Sequence, residues 1–262
     1  MIYFQDAKAH FSSDKPFFIM KHERGTPLHF HNAVEFMFIL SGELSVSLNG
    51  KSFLARKGDL VTVNSEVVHS ATPTSDISYY ILIAHDEFFK ANGLYLSGTQ
   101  FSPLIRSEEV QKIFGDIILE YEKSDGFSPV AITALCLSLF VTLNRHHAEK
   151  AGSENDFGDK QIETVKLALD YLKNNFNRKL TVDEISSVLN FSKSHLSHVF
   201  KKVTGHSIIS YVNLLKCQNA KTLILNGATI KKASDECGFK DVSYFTRTYK
   251  KTMGSLPSEI LK

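Results

Sequence analysis

Ser194-His-Leu-Ser-His-Val-Phe-Lys-Lys-Val-Thr-Gly205 and Ser243-Tyr-Phe-Thr-Arg-Thr-Tyr-Lys-Lys-Thr-Met-Gly254 are two copies of one pattern. At an offset of 49 residues the Ser, the Lys pair and the Gly are identical, and an aromatic precedes each Lys pair. Upstream the offset is 48, pairing Thr181 with Thr229, Val182 with Ile230, Ile185 with Ala233, Asn190 with Gly238 and Phe191 with Phe239. One residue inserted between the blocks accounts for the change. A unit of this size used twice is one supersecondary motif repeated.

Each copy predicts helix, turn, helix. Thr181-Val-Asp-Glu184 has the form of a capping box, in which Thr accepts from an early backbone N–H and Glu reaches back. Val182, Ile185, Val188 and Leu189 form a short apolar stripe. Asn190 and Gly238 are residue types that tolerate the left-handed conformation ending a helix. Ser192 and Asp241 are N-cap types that restart one, and Gly205 and Gly254 stop the second helices. This is the pattern of a helix-turn-helix, whose second helix enters the DNA major groove. Between the copies, roughly residues 207–226 read as one helix stopped by Gly227. At about 1.5 Å per residue it spans about 30 Å, close to the roughly 34 Å between successive major-groove faces.

Charge agrees with a polyanionic partner. The whole chain of 262 residues has a net charge of +2, but the average hides a split. Residues 1–159 hold 13 basic and 20 acidic side chains, giving −7; residues 160–262 hold 17 and 8, giving +9. The polar, aperiodic stretch 150–159 reads as a linker. The expected organisation is therefore an effector-binding and dimerisation domain over 1–149, a linker over 150–159 and a DNA-binding domain over 160–262. Hydrophobic residues at 43% and charged residues at 22% are values of a globular protein and exclude disordered and fibrous classes. No apolar run reads as a membrane span, and the first fifteen residues lack the pattern of a signal peptide. Cys136, Cys217 and Cys237 are odd in number and widely spaced, so a reducing cytoplasm is the expected compartment.

The first domain reads as strands followed by helices. Glu43 to Leu48 alternates polar and apolar, Asn49-Gly50 is a type I′ hairpin signal, and Ser52-Phe-Leu54 returns. Gly58-Asp59 turns the chain into Leu60-Val-Thr-Val63, and Ile77 to Ala84 is a further strand. Close turns between short strands point to a small antiparallel barrel or sandwich. Two helices near 104–123 and 129–148 follow, with Ile113, Ile117 and Tyr121 on one face and Ala131, Leu135, Leu139 and Leu143 on another. These stripes can cover the barrel or bury against a second copy, so a homodimer through 104–148 is expected. The fold class is thus α+β with two domains: a β-barrel plus two long helices, then an all-α domain of two helix-turn-helix units on a linker helix.

His29-Phe-His31, Glu35 and His69 are the one set in this half that can carry chemistry. On a strand His29 and His31 would share a face. With Glu35 and His69 turned inward, three imidazoles and a carboxylate converge as a candidate site for a divalent metal. The alternative is a metal-free barrel binding a small organic ligand. Tyr80 joins the four as an expected pocket residue, an aromatic able to replace the missing Trp against a sugar or other small metabolite. The spacing of His29, His31, Glu35 and Gly42, then of Gly58 and His69, resembles the two motifs of the cupin superfamily, over roughly residues 17–84. Asn64 and Glu66 depart from it, standing where Pro and Gly are usual, and Gly25 lies nearer the first histidine than the pattern has it.

Residues 160–262 resemble the DNA-binding domain of the AraC/XylS family of transcriptional regulators. The carrying stretches are Ser194 to Ser207, Ala233 to Lys251, and Pro257-Ser-Glu259. The cupin-like half with two helices is similar to that family's effector and dimerisation arrangement. The resemblance implies a cytoplasmic, nucleoid-associated bacterial regulator that is not an enzyme, binds double-stranded DNA, answers a small-molecule effector and, as an activator, meets RNA polymerase. Its base-reading positions fall on Ser194, Ser197 and His198 in the first unit and on Val242, Ser243, Thr246 and Arg247 in the second. Lys201, Lys202, Lys250 and Lys251 end the two recognition helices and are expected at phosphates. A metal-dependent cupin enzyme carrying a DNA-binding appendage is the rival reading, supported by the four-residue set alone.

Overall fold

The computed structural model describes residues 17–94, 99–150 and 158–260. The stretch read for a signal peptide and most of the expected linker lie outside the described residues. The chain divides into two compact units, one holding the described residues up to Lys150 and the other those from Gly158.

The first unit holds β1 (Phe17–His22), β2 (Thr26–His29), β3 (Ala33–Ser41), β4 (Glu43–Leu48), β5 (Lys51–Arg56), β6 (Leu60–Val63), β7 (His69–Pro73), β8 (Ser78–His85), α1 (Asp86–Ala91), β9 (Thr99–Phe101), β10 (Leu104–Ile105), α2 (Glu108–Lys123), α3 (Ser128–His146) and β11 (Ala148–Lys150). All strand pairs are antiparallel, in a five-stranded sheet β1-β8-β3-β6-β10, a four-stranded sheet β2-β7-β4-β5 and a two-stranded ribbon β9-β11. The Asn49-Gly50 hairpin forms as its sequence requires: both residues have positive φ (47° and 83°) and Leu48 faces Lys51 across the turn.

Strand β3 is buried on both faces from Ala33 to Ile39, so its apolar residues run on without alternation. Register separates the faces. Glu35 lies opposite Ile83 and Val63, and Met37 opposite Ile81 and Val61; Phe36 lies opposite Leu82, and Phe38 opposite Tyr80 and Leu60. The second set packs with Phe114, Ile117, Leu139 and Phe140 of the two long helices in one apolar cluster. The first set turns the other way, towards the histidines.

The helices settle into that cluster by stripes that differ from the expected ones. In α2 the buried face is Val110, Phe114, Ile117 and Ile118, with Ile113 half-buried and Tyr121 exposed; in α3 it is Ile132, Cys136, Leu139, Phe140 and Leu143. Helix α3 is apolar nearly all round, so periodicity gave no preferred stripe. By length and composition it is also long and apolar enough to cross a membrane, which corrects the expectation that no such run exists. Its inward face belongs to the packed core of this unit.

The second unit is helical: α4 (Asp159–Asn175), α5 (Val182–Val188), α6 (Lys193–Thr204), α7 (Ile208–Leu225), α8 (Ile230–Glu236), α9 (Val242–Met253) and a short 3-10 turn (Pro257–Glu259). The caps fall where the repeat puts them. Thr181, Ser192, Ser207, Thr229 and Asp241 each accept a backbone N–H at the start of a helix. Asn190 (φ 57°) and Gly238 (φ 66°) make the turns within the two units. The reciprocal half of the Thr181 box does not form, because the Glu184 carboxylate accepts from Arg178 (2.6 Å) and Tyr171 (3.2 Å).

Candidate effector site and DNA interface

His29 ends β2, His31 lies in the turn to β3, Glu35 is on β3 and His69 opens β7. His29 and His31 therefore do not share a strand, and alternation is not what aligns them. His29 instead pairs in register with His69, beyond an irregularity in the β2-β7 ladder. One candidate ligand atom from each of the four residues lies within 4.8 Å of the others. Glu35 is 1% and His69 0% exposed.

The backbone sets how the imidazoles point. His29 Nδ1 lies 2.8 Å from Pro27 O, His31 Nδ1 3.1 Å from Ala33 O and His69 Nδ1 2.8 Å from Val67 O. A carbonyl oxygen only accepts, so each Nδ1 is the donor and carries a proton. In the neutral ring each Nε2 is then a lone pair. His31 Nε2 stands 3.0 Å and His69 Nε2 3.4 Å from Glu35 Oε2. A lone pair facing a carboxylate is repelled unless a proton or a cation sits between them. His69 Nε2 and Glu35 Oε1 are buried without a hydrogen-bond partner. Such orphans are rare in native proteins and call for a specific explanation.

Charge state points the same way. Burial, then the neighbouring His69 and His31, push the His29 imidazole well below its ordinary pKa, so it stays neutral. Burial alone would raise the Glu35 carboxyl; hydrogen bonds from the His31 and His69 rings and their charge outweigh it and hold the group below the usual carboxylate range, the effect of a proton, or of a cation in its place, lying between Nε2 and the carboxylate. A neutral imidazole and an ionised carboxylate are the forms that bind metal. Three imidazole nitrogens and a carboxylate oxygen suit Zn²⁺, Fe²⁺, Mn²⁺ or Ni²⁺, and the Nδ1–H···O=C bonds are the outer-shell contacts that orient such ligands.

Tyr80 is not part of this group. Its register partner Phe38 places it on the helix side of the sheet, where it is buried in the core and its hydroxyl donates to Glu122 Oε1 at 2.7 Å. The expectation that it lines the pocket is corrected by strand parity: Tyr79, its neighbour, is on the Glu35 side, where it meets His22 edge-on.

Two of the three departures from the cupin pattern, Glu66 and Asn64, have structural reasons. Glu66 has φ 65°, the left-handed conformation that glycine adopts most cheaply, and its N–H donates to His31 O at 2.8 Å. Asn64 uses both ends of its amide, donating to Phe101 O and accepting from Phe101 N, each at 2.9 Å. Phe101 pairs with Ala148 in the β9-β11 ribbon, and Ser102 binds His147 O and Glu149. Sequence flagged Asn64 only as an irregularity; its role as a clamp depends on a contact 37 residues away.

In the second unit, α6 and α9 occupy equivalent places in the repeat. Ser194, His198, Ser243 and Arg247 are exposed, and Ser197, Val242 and Thr246 are half-buried on the same helices. The opposite faces carry Leu196, Val199, Phe200 and Val203 in α6, and Phe245 and Tyr249 in α9, all buried. Lys201, Lys202, Lys250 and Lys251 are exposed in the last turns. Phe200, Phe239 and Tyr249 are core residues.

The family profile described as AraC-like ligand binding domain matches residues 17–140, and the one described as Helix-turn-helix domain matches residues 185–262. The chain belongs to the AraC family. It is a DNA-binding transcriptional regulator with a ligand-binding domain, not an enzyme, which sets aside the rival enzyme reading. Among AraC-family relatives, the HTH-type transcriptional activator RhaR of Cronobacter sakazakii is 24% identical over 241 residues, covering 87% of this chain and 84% of that protein. RhaR of Salmonella schwarzengrund is 26% identical over 248 residues, covering 88% and 85%. Among solved structures, apo ToxT from Vibrio cholerae shares the fold with a TM-score of 0.55 at 17% identity, covering 94% of this chain and 97% of that one. ToxT bound to an unsaturated fatty acid gives 0.51 at 17% identity, covering 94% of each.

Proposed function

We propose that this chain is a cytoplasmic transcription activator whose DNA binding responds to a divalent transition metal held by His29, His31, Glu35 and His69. The observation that carries the reading is the set of backbone carbonyls on all three Nδ1 atoms, which turns the Nε2 lone pairs onto one buried carboxylate. A cation there satisfies His69 Nε2 and Glu35 Oε1 together and removes the repulsion between lone pair and carboxylate. The metal would supply charge and fixed coordination. The protein's part is to hold His29 neutral and Glu35 ionised and to orient all four side chains.

A contiguous route supports regulation of DNA binding from this site. Loop 64–68 hangs on His31 through Glu66 and leads directly into His69. Asn64, at its start, clamps Phe101, and the β9-β11 ribbon carries Ala148 to Lys150, the last described residues before the linker. A ligand that draws His31 and His69 together acts on the middle and the end of this loop. Regulation then requires only that the metal bind the two positions of the ribbon with different affinity.

For DNA, we assign base reading to Ser194, Ser197, His198, Val242, Ser243, Thr246 and Arg247, and phosphate contacts to Lys201, Lys202, Lys250 and Lys251. Arg247 is the group able to read guanine bidentately, and Val242 can meet a thymine methyl. Leu119, Phe127 and Val130 are 65%, 81% and 72% exposed at the α2-α3 corner, which supports a homodimer through these helices. An organic effector in the same domain is the second reading; a ToxT structure of this fold holds an unsaturated fatty acid. Metal analysis of the purified full chain tests the proposal: about one ion per chain, lost on Glu35→Gln, supports it, and no ion retained or bound on titration defeats it.

A further inference from the structure

The repeat gives an internal control on its own turns. Asn190 in the first helix-turn-helix and Gly238 in the second hold the same left-handed conformation (φ 57° and 66°). Asn190 is exposed and keeps its side chain. At Gly238 a Cβ would stand 2.0 Å from Asn177 O and 2.7 Å from Asn177 C. Glycine is therefore demanded at 238 not by φ alone but by the approach of another backbone. That backbone is the connection between α4 and α5, which leads into the first helix-turn-helix. On the same turn, Lys216 of the linker helix α7 donates from Nζ to Gly238 O at 2.6 Å and lies over the Phe239 ring at 5.3 Å. Lys216 is 6% exposed, and no carboxylate pairs with it among the described residues. A buried ammonium without a counter-ion is costly, and burial lowers its pKa accordingly. Three segments thus meet at one residue: the entry to the first helix-turn-helix, the linker helix, and the turn of the second helix-turn-helix.

We propose that Lys216 and Gly238 form a clasp that fixes the two recognition helices relative to one another, and that this clasp sets the spacing of the two DNA segments the protein reads. Helix α7 packs on the second helix-turn-helix through Cys217, Ala220 and Ile224, which share a core with Ala233, Phe245 and Tyr249, so the freedom left is that of this block against the first helix-turn-helix. The Asn177–Gly238 contact restrains that motion, and the Lys216 bond holds the Gly238 turn where it makes the contact. Neither residue lies on the base-reading face. Both are positioning residues.

The test uses the full-length chain and a duplex recovered by it from a random-sequence library, with the two contacted segments located by footprinting. Spacing variants carry insertions or deletions of a base pair between the segments. The native protein should lose roughly tenfold or more in affinity at each wrong spacing, the scale of a lost specific contact. Lys216→Met should flatten this profile to within about threefold while single-segment duplexes bind as before; Lys216→Arg, which keeps a cationic donor, should restore it. Gly238→Ala, which forces the Asn177 contact open with Lys216 in place, carries the same expectation and stands in if Lys216→Met does not fold. A native spacing profile in either variant, with affinity lowered uniformly, overturns the proposal and leaves the clasp as a contribution to stability only.

Discussion

Saturating the His/Glu site with a divalent ion should raise the melting temperature of the first unit alone. The perturbation is Zn²⁺, Mn²⁺ or Ni²⁺ added to chelator-treated protein. An ion that binds only the native state at a hundredfold excess over its Kd contributes about 2.7 kcal/mol. For a domain of roughly 150 residues each kcal/mol moves Tm by about 2–4 °C, so the shift should be about 5–11 °C. The ligands come from β2, β3, β7 and the β2-β3 turn, all within the unit that ends before Gly158, and the helical unit contributes none. Calorimetry on the full chain therefore contains its own control: the transition of the first unit should move and that of the DNA-binding unit should not. Glu35→Gln replaces the anionic ligand by a neutral amide whose NH2 can donate to the His31 and His69 Nε2 atoms, and should abolish most of the shift. No shift with any of these ions, equal shifts in both transitions, or an undiminished shift in Glu35→Gln would rule out metal binding at this site.

Arg247→Ala should weaken binding to the selected duplex by about 1–3 kcal/mol and relax discrimination at one base pair in a binding-site selection. Replacing Lys250 and Lys251 together by Ala should weaken all duplexes alike and flatten the slope of log K against log salt by about 0.9 per lost contact, measured by fluorescence anisotropy. Asn64→Leu should leave metal affinity within a few-fold, by calorimetric titration, but remove the effect of metal on DNA affinity, because both Phe101 backbone bonds are lost. Asp241→Ala removes the N-cap of α9, where Oδ1 accepts from Tyr244 N at 2.7 Å, and should cost the DNA-binding unit about 1 kcal/mol in urea unfolding.

The helix-turn-helix units were legible because their signals are local. A cap and its partner lie three residues apart, and the turn residues Asn190 and Gly238 announce their own φ. The repeat then doubled every signal. The effector unit was legible in its hairpins and its four ligands, less so in its faces. Strand β8 is buried on both sides, so nothing in Tyr79-Tyr80-Ile81-Leu82 reveals which residues look towards Glu35, and Tyr80 fell on the wrong side. Helix α3 is apolar around most of its circumference, so its periodicity did not select the Ile132, Cys136 and Phe140 stripe. Contacts distant in sequence were invisible: the carbonyl locks on the three Nδ1 atoms, the Asn64 clamp and the Lys216 bond appear only once the backbone is in place.

If occupancy of the His29, His31, Glu35 and His69 site governs DNA binding, metal and duplex must each change the affinity for the other. The Kd of the full-length protein for its selected duplex would be measured in chelator and with saturating metal, and the metal Kd measured with and without the duplex. Regulation of the ordinary size gives a coupling of about 5–150-fold, equal in both directions. The native chain should show such a factor, and Glu35→Gln should lose it. Identical DNA affinity with and without bound metal would contradict regulation through this site.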